Sequence, residues 1–183
     1  MGSPKALLRA PDGRTFVERI VDVLSSFADE VVVITGGHHD EIVDIAVELS
    51  RNRHVRFVRN PDPVRGQLSS LWVGMDAVVG ATTEAIAMTP VDVPMISTAT
   101  VTAVVDAWRR GRAPIVRPAI GRRHGHPVIF DRAVFAELRS APLEVGAKSV
   151  VHAYGDAVLN VTVDDEGCLT DVDTREDYRR LLG

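Results

Sequence analysis

Cysteine and lysine are both scarce in this chain of 183 residues. Cys168 is its only cysteine, and Lys5 and Lys148 are its only lysines among 21 basic residues. A single cysteine excludes an intrachain disulfide and favours a reducing compartment, so we expect a cytoplasmic protein. No apolar stretch approaches the roughly 18 residues that span a bilayer, and we therefore expect no membrane partner.

The charge balance excludes a strongly basic surface. Asp and Glu total 25 against 21 Lys and Arg, which gives a formal net charge of −4. We therefore expect no nucleic-acid partner. The sequence also lacks a Gly-x-Ser-x-Gly elbow, a Gly-Lys-Ser/Thr phosphate loop and a Gly-x-Gly-x-x-Gly motif. Serine hydrolases, P-loop ATPases and simple dinucleotide oxidoreductases thus have no motif support.

Helical and strand patterns alternate over the first 110 residues or so. Apolar spacings of three and four predict helices at about 15–27, 40–50, 67–79 and 101–108. Short apolar or β-branched runs predict strands at 30–35, 55–58 and 85–88. This alternation predicts an α/β fold whose mostly parallel sheet is covered by helices on both faces.

The last third of the chain has a more mixed pattern. It predicts strands at 114–117, 127–130, 158–163 and 169–172, and helices at 132–138, 147–153 and from Thr174 onward. We expect an added antiparallel pair in this part of the sheet. No linker or repeat interrupts the chain, so we predict a single domain over residues 1–183.

Asp92 is the first candidate for metal chemistry. It follows the predicted strand 85–88 and lies between Pro90 and Pro94. Ligands of open α/β sheets bind at the carboxyl ends of the strands, and a carboxylate there suits a hard cation such as magnesium. A role as an ordinary turn or cap residue is the alternative.

Asp171 and Asp173 form a second acidic pair. On a strand they would share one face, where two carboxylates repel unless a cation or an arginine relieves them. Asp173 or Thr174 also suits the cap of the final helix, and the cap and ligand roles of Asp173 are compatible.

Three further segments carry polar groups that suit phosphate or nucleotide. Lys5 lies beside Gly2 and Ser3, although a solvated terminal lysine is the simpler interpretation. Gly66–Ser70 opens a helix and offers N–H groups and hydroxyls, which ordinary capping would also explain. Arg122–Pro127 concentrates basic residues before a strand; arginine pairs suit phosphate, and its two histidines are a weaker candidate for zinc.

Five segments, in this order, resemble the MobA-like nucleotidyltransferase family, and most of all its molybdenum-cofactor cytidylyltransferase branch. These segments are Met1–Leu8, Asn60–Pro61 with Gly66–Leu71, Pro90–Pro94, Gly121–Pro127 and Asp171–Tyr178. The resemblance implies a Rossmann-like three-layer nucleotidyltransferase fold. The family's N-terminal strand and its glycine-rich loop are missing from this sequence, and we expect that Met1 is an internal methionine of a longer gene product.

The resemblance also implies a function. It implies magnesium-dependent transfer of CMP from CTP to a molybdopterin-type cofactor, a pterin with a terminal phosphate, with release of pyrophosphate. The implied roles are magnesium binding for Asp92 and Asp173, catalysis for Lys5 and Asp92, triphosphate binding for Lys5, base and ribose binding for Gly66, Ser69 and Ser70, and acceptor binding for Arg123 and His126. A molybdoenzyme maturation partner is a further expectation.

Other functions fit the same resemblance. One is guanylyl transfer, which other branches of the family perform. A second is a non-catalytic protein of the same fold that holds a nucleotide or cofactor. A third is a nucleotide-sugar transferase that uses Asp171 and Asp173 as its metal site.

Overall fold

The computed structural model describes residues 3–50 and 54–183, which form helices and short strands in alternation. The helices are α1 (Phe16–Ser25), α2 (His39–Ile45), α3 (Val47–Ser50), α4 (Gln67–Val78), α5 (Thr98–Gly111), α6 (Phe135–Ser140), α7 (Lys148–Tyr154) and α8 (Arg175–Leu182). The strands are β1 (Val31–Thr35), β2 (Val55–Arg59), β3 (Ala85–Met88), β4 (Ile115–Ile120), β5 (Arg123–His124), β6 (Val128–Asp131) and β7 (Val158–Thr162). The predicted α/β fold class is confirmed.

The strands form two hydrogen-bonded sheets. β1 and β2 pair in parallel as a two-stranded sheet, with Val31 opposite Val55. The other sheet is mixed: β6 lies between β3 and β4 and is antiparallel to both, while β7 pairs with β4 in parallel. The antiparallel pair expected in the last third of the chain is β4 with β6, and the short strand β5 adds a second antiparallel pairing to β4. Since β3 and β4 are both antiparallel to β6, their carboxyl ends lie at one edge of this sheet.

Local sequence signals explain where the helices begin. Thr15 starts α1 with a capping box, in which its hydroxyl accepts from the Glu18 N–H and the Glu18 carboxylate accepts from the Thr15 N–H. Thr174 and Asp177 repeat this arrangement at α8, so Thr174 rather than Asp173 supplies the cap. Ser97 caps α5 through the N–H of Thr100.

The core lies on both faces of the five-stranded sheet. On one face, Ile115 and Phe130 pack with apolar residues of α4, α6 and α7. On the other face, Val116 and Ile129 pack against α5. The two-stranded sheet has its own smaller cluster, in which Val31 and residues of α1 and α2 take part.

Two predicted elements were wrong or interrupted. The strand predicted at 169–172 is absent; residues Glu166–Leu169 form a 3-10 turn, and the chain then runs without a ladder partner among the described residues. The helix predicted over 40–50 is divided at Ala46, whose backbone leaves the helical region (φ −92°, ψ 21°).

Within the described part of the chain, no helix is both long and apolar enough to cross a membrane.

Candidate active site

The turn after β3 holds Asp92 at the edge of the five-stranded sheet. Val93 is fully buried and Pro94 nearly so, which anchors the turn in the core. The Asp92 side chain, by contrast, is 27% exposed. The sequence thus fixes the backbone of this turn through its neighbours and leaves the carboxylate free to meet a ligand.

A second segment is bound directly to that turn. The N–H of Val172 donates to the carbonyl of Asp92 at 2.8 Å, and the Val172 side chain is fully buried. Because Asp171 and Asp173 flank Val172 in the chain, this backbone hydrogen bond brings both aspartates close to Asp92. The predicted strand was wrong, but a buried valine between two aspartates brings the acidic pair to Asp92 without it.

Lys5 lies between two of these carboxylates. Its ammonium is 2.6 Å from Oδ1 of Asp173 and 3.6 Å from Oδ2 of Asp92. Burial lowers the pKa of Lys5, but the hydrogen bond to Asp173 and the charge of Asp92 outweigh it, so the net pKa is raised. Lys5 therefore stays protonated and neutralises part of the acidic cluster.

Asp171 completes the acidic cluster, which we define as Asp92, Asp171 and Asp173. Desolvation raises the pKa of Asp171, and the negative charge of Asp92 raises it further. His126 and Lys5 oppose this shift. The neighbours of Asp171 thus disfavour its ionised form, and a cation placed beside it would stabilise that form. The acidic cluster therefore favours the binding of a cation.

His126 lies beside the acidic cluster at the start of β6. Its Nδ1 is 3.4 Å from the carbonyl of Met88, and its backbone N–H donates to the carbonyl of Cys168 at 2.9 Å. Burial lowers the pKa of His126, against the opposing effects of Met88, Asp171 and Asp92. The ring is therefore predominantly neutral near pH 7 and can exchange hydrogen bonds without carrying a charge.

Two glycines allow the backbone to close around this edge. A Cβ on Gly125 would lie 2.3 Å from the Cys168 carbonyl oxygen, and a Cβ on Gly167 would lie 2.2 Å from that of Met95. No side chain fits at such distances. The segment that leads to Asp171 is thus packed against the backbone of Met95 on one side and of Gly125 on the other.

The start of α4 forms a separate polar loop. The buried Asn60 donates from its amide nitrogen to the hydroxyls of Ser69, at 2.9 Å, and Ser70, at 3.0 Å. Ser69 also donates to the carbonyl of Gly66 at 2.7 Å and is only 4% exposed. The structure therefore places the Ser69 hydroxyl inside the loop, where it supports the turn, while Gly66 (φ +88°) and Ser70 lie nearer the surface.

A cavity of about 280 Å³ lies between Lys5 and the end of β1. It is lined on one side by Lys5 and Val91, next to Asp92, and on the other by Ile34, Gly36 and His38 at the end of β1. Gly36 in turn lies against Pro63 of the loop that precedes α4, since an added Cβ would be 3.1 Å from the proline Cβ. The cavity thus lies between the acidic cluster and the α4 loop.

Arg123 is not free to bind a ligand in this structure. Its guanidinium donates to both carboxylate oxygens of Glu166, at 2.8 and 2.5 Å. Both side chains are mostly exposed. Sequence reasoning placed Arg123 beside His126 but had no signal for a carboxylate partner 43 residues away.

The acidic cluster is chemically suited to a divalent cation. Across residues 3–50 and 54–183, no three or more His, Cys, Asp or Glu side chains are grouped so that they alone could hold a metal ion, and this includes the three carboxylates of the cluster. Magnesium does not need such a group, because it is commonly held by one or two carboxylates together with water and substrate phosphates. Carboxylate oxygens are hard ligands that suit Mg²⁺ or Mn²⁺ better than softer metals.

Lys5, Asp92, Asp173 and His126 are therefore brought together as the sequence predicted, and Asp171 joins them. Asp171 was recognised as one of a pair but was not included among the expected ligands. The signal that could have identified it is the Asp-Val-Asp pattern itself. A buried valine in the centre turns both flanking carboxylates toward the same neighbour.

Comparison with known proteins gives a consistent result. The model of the MobA-like NTP transferase domain matches residues 1–158. A probable molybdenum cofactor guanylyltransferase from Bacillus cytotoxicus is 28% identical over 189 residues, which cover 99% of this chain and 89% of the relative.

Solved structures from Mycobacterium tuberculosis H37Rv are also similar. The crystal structure of Rv0371c has a TM-score of 0.80 and 29% identity, covering all of this chain and 90% of that one. Its complex with manganese has a TM-score of 0.78 and 32% identity, covering 99% of this chain and 92% of that one.

Proposed function

The chain belongs to the MobA-like NTP transferase family, and from that premise we propose that it transfers a nucleotidyl group from a nucleoside triphosphate to a phosphate on a pterin-type cofactor. CTP is the proposed donor, magnesium the proposed metal and pyrophosphate the leaving group. The single observation that carries the proposal is the acidic cluster Asp92, Asp171 and Asp173 around Lys5 at the edge of the five-stranded sheet.

The chemistry of the transfer matches what this site offers. An oxygen of the acceptor phosphate attacks the α-phosphorus, a new P–O bond forms there, and the bond to the β-phosphate breaks. The attacking phosphate is already ionised near pH 7, so no strong general base is required. The remaining demands are charge neutralisation and alignment of the reacting groups.

Asp92 and Asp173 are the proposed metal ligands, with Asp171 as a third carboxylate beside them. A bound divalent ion would stabilise negative charge on the phosphates. Lys5 bridges Asp92 and Asp173 in this structure. Its ammonium is carried by a long, flexible side chain, which could turn toward a triphosphate once a divalent ion neutralises the carboxylates.

The cavity between Lys5 and Gly36 supports the placement of the nucleotide. It is close to Asp92 through Val91, and close to the α4 loop through Gly36 and Pro63. We propose that base and ribose lie here, bordered by Gly66 and Ser70. Ser69 supports that loop from inside, because its hydroxyl is already engaged by Asn60 and Gly66.

His126 is the proposed contact to the acceptor. It lies next to the acidic cluster and is predominantly neutral, so it can donate to or accept from an acceptor group without adding charge. Arg123 can contribute only if it leaves Glu166. We therefore give His126 the larger part on the acceptor side.

The test is a reaction of the protein with molybdopterin-type cofactor, magnesium and each of CTP, GTP and ATP, with pyrophosphate release and nucleotide-coupled cofactor both measured. Asp92→Asn should lower turnover by about 100-fold or more, which is the typical loss when one group that stabilises transition-state charge is removed. The matched control is Asp44→Asn, since Asp44 is exposed on α2. Full activity of Asp92→Asn would refute the proposal.

Guanylyl transfer is the second candidate, because the Bacillus cytotoxicus relative is described as a probable guanylyltransferase. The same reaction series separates the two. Coupling of GMP but not CMP to the cofactor would replace the proposed donor and leave the proposed roles of Lys5 and Asp92 in place.

A further inference from the structure

Arg117 differs from Arg123, the arginine on the neighbouring strand β5, in having no acidic partner among the described residues. It lies on β4 and is half-buried, and its Nε donates to Oδ1 of Asn160 on β7 at 2.8 Å. In the described part of the chain, its two terminal nitrogens have no hydrogen-bond partner and no carboxylate pairs with it. The neutral amide of Asn160 thus orients the guanidinium but does not neutralise its positive charge.

His124 lies near the same guanidinium. It pairs with Ala119, and side chains two residues apart on a strand share a face, so His124 is on the face of Arg117. Burial lowers the pKa of His124, and the positive charge of Arg117 lowers it further. Two basic side chains that face one another without an anion favour the binding of one.

Strand register relates Arg117 to the active site. Ile115 is opposite Phe130 and Val116 is opposite Ile129. Continuing this register by one residue puts Arg117 level with Val128. Val128 is itself paired with Met88. Arg117 is therefore level with Met88, two strands away, or about 10 Å at a strand spacing of roughly 4.8 Å.

Met88 is part of the active-site edge. Its carbonyl contacts the ring of His126, and Asp92 follows four residues later. Arg117 also lies on the face of the sheet that packs against α4, since Val128 and Ile115 belong to that core cluster. The unmet charge is thus on the face of the sheet that α4 covers.

We propose that Arg117, oriented by Asn160 and joined by His124, forms an anion-binding subsite for a phosphate group of the acceptor. The identity of the ligand as the acceptor rests on the proposed function, whereas phosphate binding at Arg117 does not. The planar guanidinium offers two parallel N–H donors, the geometry that phosphate oxygens accept. Arg123 cannot replace it while it is paired with Glu166.

The experiment is an NMR titration of the full chain with inorganic phosphate, followed at the Arg117 Nε–H and the His124 ring. Arg117→Ala should weaken phosphate binding about tenfold or more, as expected when a charged hydrogen bond worth about 1.4 kcal/mol or more is lost. Arg117→Lys should bind with intermediate affinity. The matched control is Arg110→Ala on α5, where an exposed arginine is removed and binding should not change.

The titration is repeated with saturating CTP and magnesium, and again with GTP. Retained phosphate binding at Arg117 supports a subsite separate from the triphosphate. Displacement of phosphate by either nucleotide would overturn the assignment to the acceptor. Equal phosphate affinity of the wild type and a folded Arg117→Ala variant, as judged by its thermal unfolding, would overturn the subsite itself. Phosphate binding without any nucleotide binding would contradict the proposed function alone.

Discussion

Two strands of the five-stranded sheet, β4 and β6, differ from the strands of the two-stranded sheet in how completely they are buried. In β4 and β6 most side chains are buried, with Ile115 and Val116 fully so. In β1 only the two end residues are buried, and in β2 only the first, Val55; the other positions are half-buried or exposed. Asp92 follows β3, the neighbour of the well-packed β6, whereas much of the proposed nucleotide cavity is lined by β1. We therefore expect the proposed metal-binding edge to be the more rigid side of the site, and the nucleotide side to be stabilised further by its ligand.

The largest effect should separate two phenylalanines. Phe130 on β6 is 1% exposed, whereas Phe57 on β2 is only half-buried. Phe130→Ala should lower the free energy of unfolding by about 3–5 kcal/mol, because it leaves a cavity in a closed core. Phe57→Ala should cost about 1–2 kcal/mol, because part of that ring already lies in water. Urea unfolding measures both, and equal losses would contradict the comparison.

Nucleotide binding should reduce the difference between the two sheets. With nucleotide and magnesium at 100 times the dissociation constant, the native state should gain about 2.7 kcal/mol. Amide exchange should slow mainly in β1 and in the loop after it, because these line the cavity. Hydrogen–deuterium exchange with and without nucleotide tests this. Protection confined to β4 and β6 would place the nucleotide elsewhere.

The helix caps offer a matched pair of smaller changes. Thr15, which caps α1 beneath the two-stranded sheet, is 2% exposed, while Thr174, which caps α8, is exposed. Thr15→Ala should cost about 2 kcal/mol and Thr174→Ala about 0.5 kcal/mol, within the usual range for lost caps. Thermal unfolding compares them, and the reverse order would show that α8 stabilises the chain more than α1.

The smallest effect depends on pH. The backbone N–H and then the hydroxyl of Thr15 lower the pKa of Glu18, against the effect of burial. A lowered folded-state pKa means that the ionised Glu18 stabilises the fold above its ordinary pKa of 4.5, and that this contribution is lost as pH falls through the folded value. Glu18→Gln should therefore cost up to about 1 kcal/mol at pH 7 and less at pH 3. A cost that does not change between these pH values would contradict this assignment.

Local patterns predicted the regular elements well and the long-range contacts less well. The β-branched run before Thr35 and the apolar residues of 85–88 are strands as predicted, because their side chains decide the backbone locally. The segment 169–172 also contains apolar and β-branched residues, but it has no ladder partner among the described residues, and a strand exists only where a partner accepts its hydrogen bonds. Composition alone does not contain that information.

The site was predictable where motifs act locally and not where distant residues meet. Asp92 was predicted to follow the strand 85–88, and it lies in the turn after β3. The ion pair of Arg123 with Glu166 and the hydrogen bond of Arg117 to Asn160 each join residues 43 positions apart in the chain. Both outcomes follow from register, which a single sequence does not specify at this range.

The division of the sheet has a consequence for handling the protein. Among the described residues, β1 and β3 each pair with one strand only, so each leaves a row of backbone donors and acceptors without a ladder. Such edge strands can form backbone hydrogen bonds with an extended segment of another molecule, including another copy of the same chain. We therefore expect concentrated preparations to self-associate through these borders, and light scattering to report it sooner without nucleotide than with it.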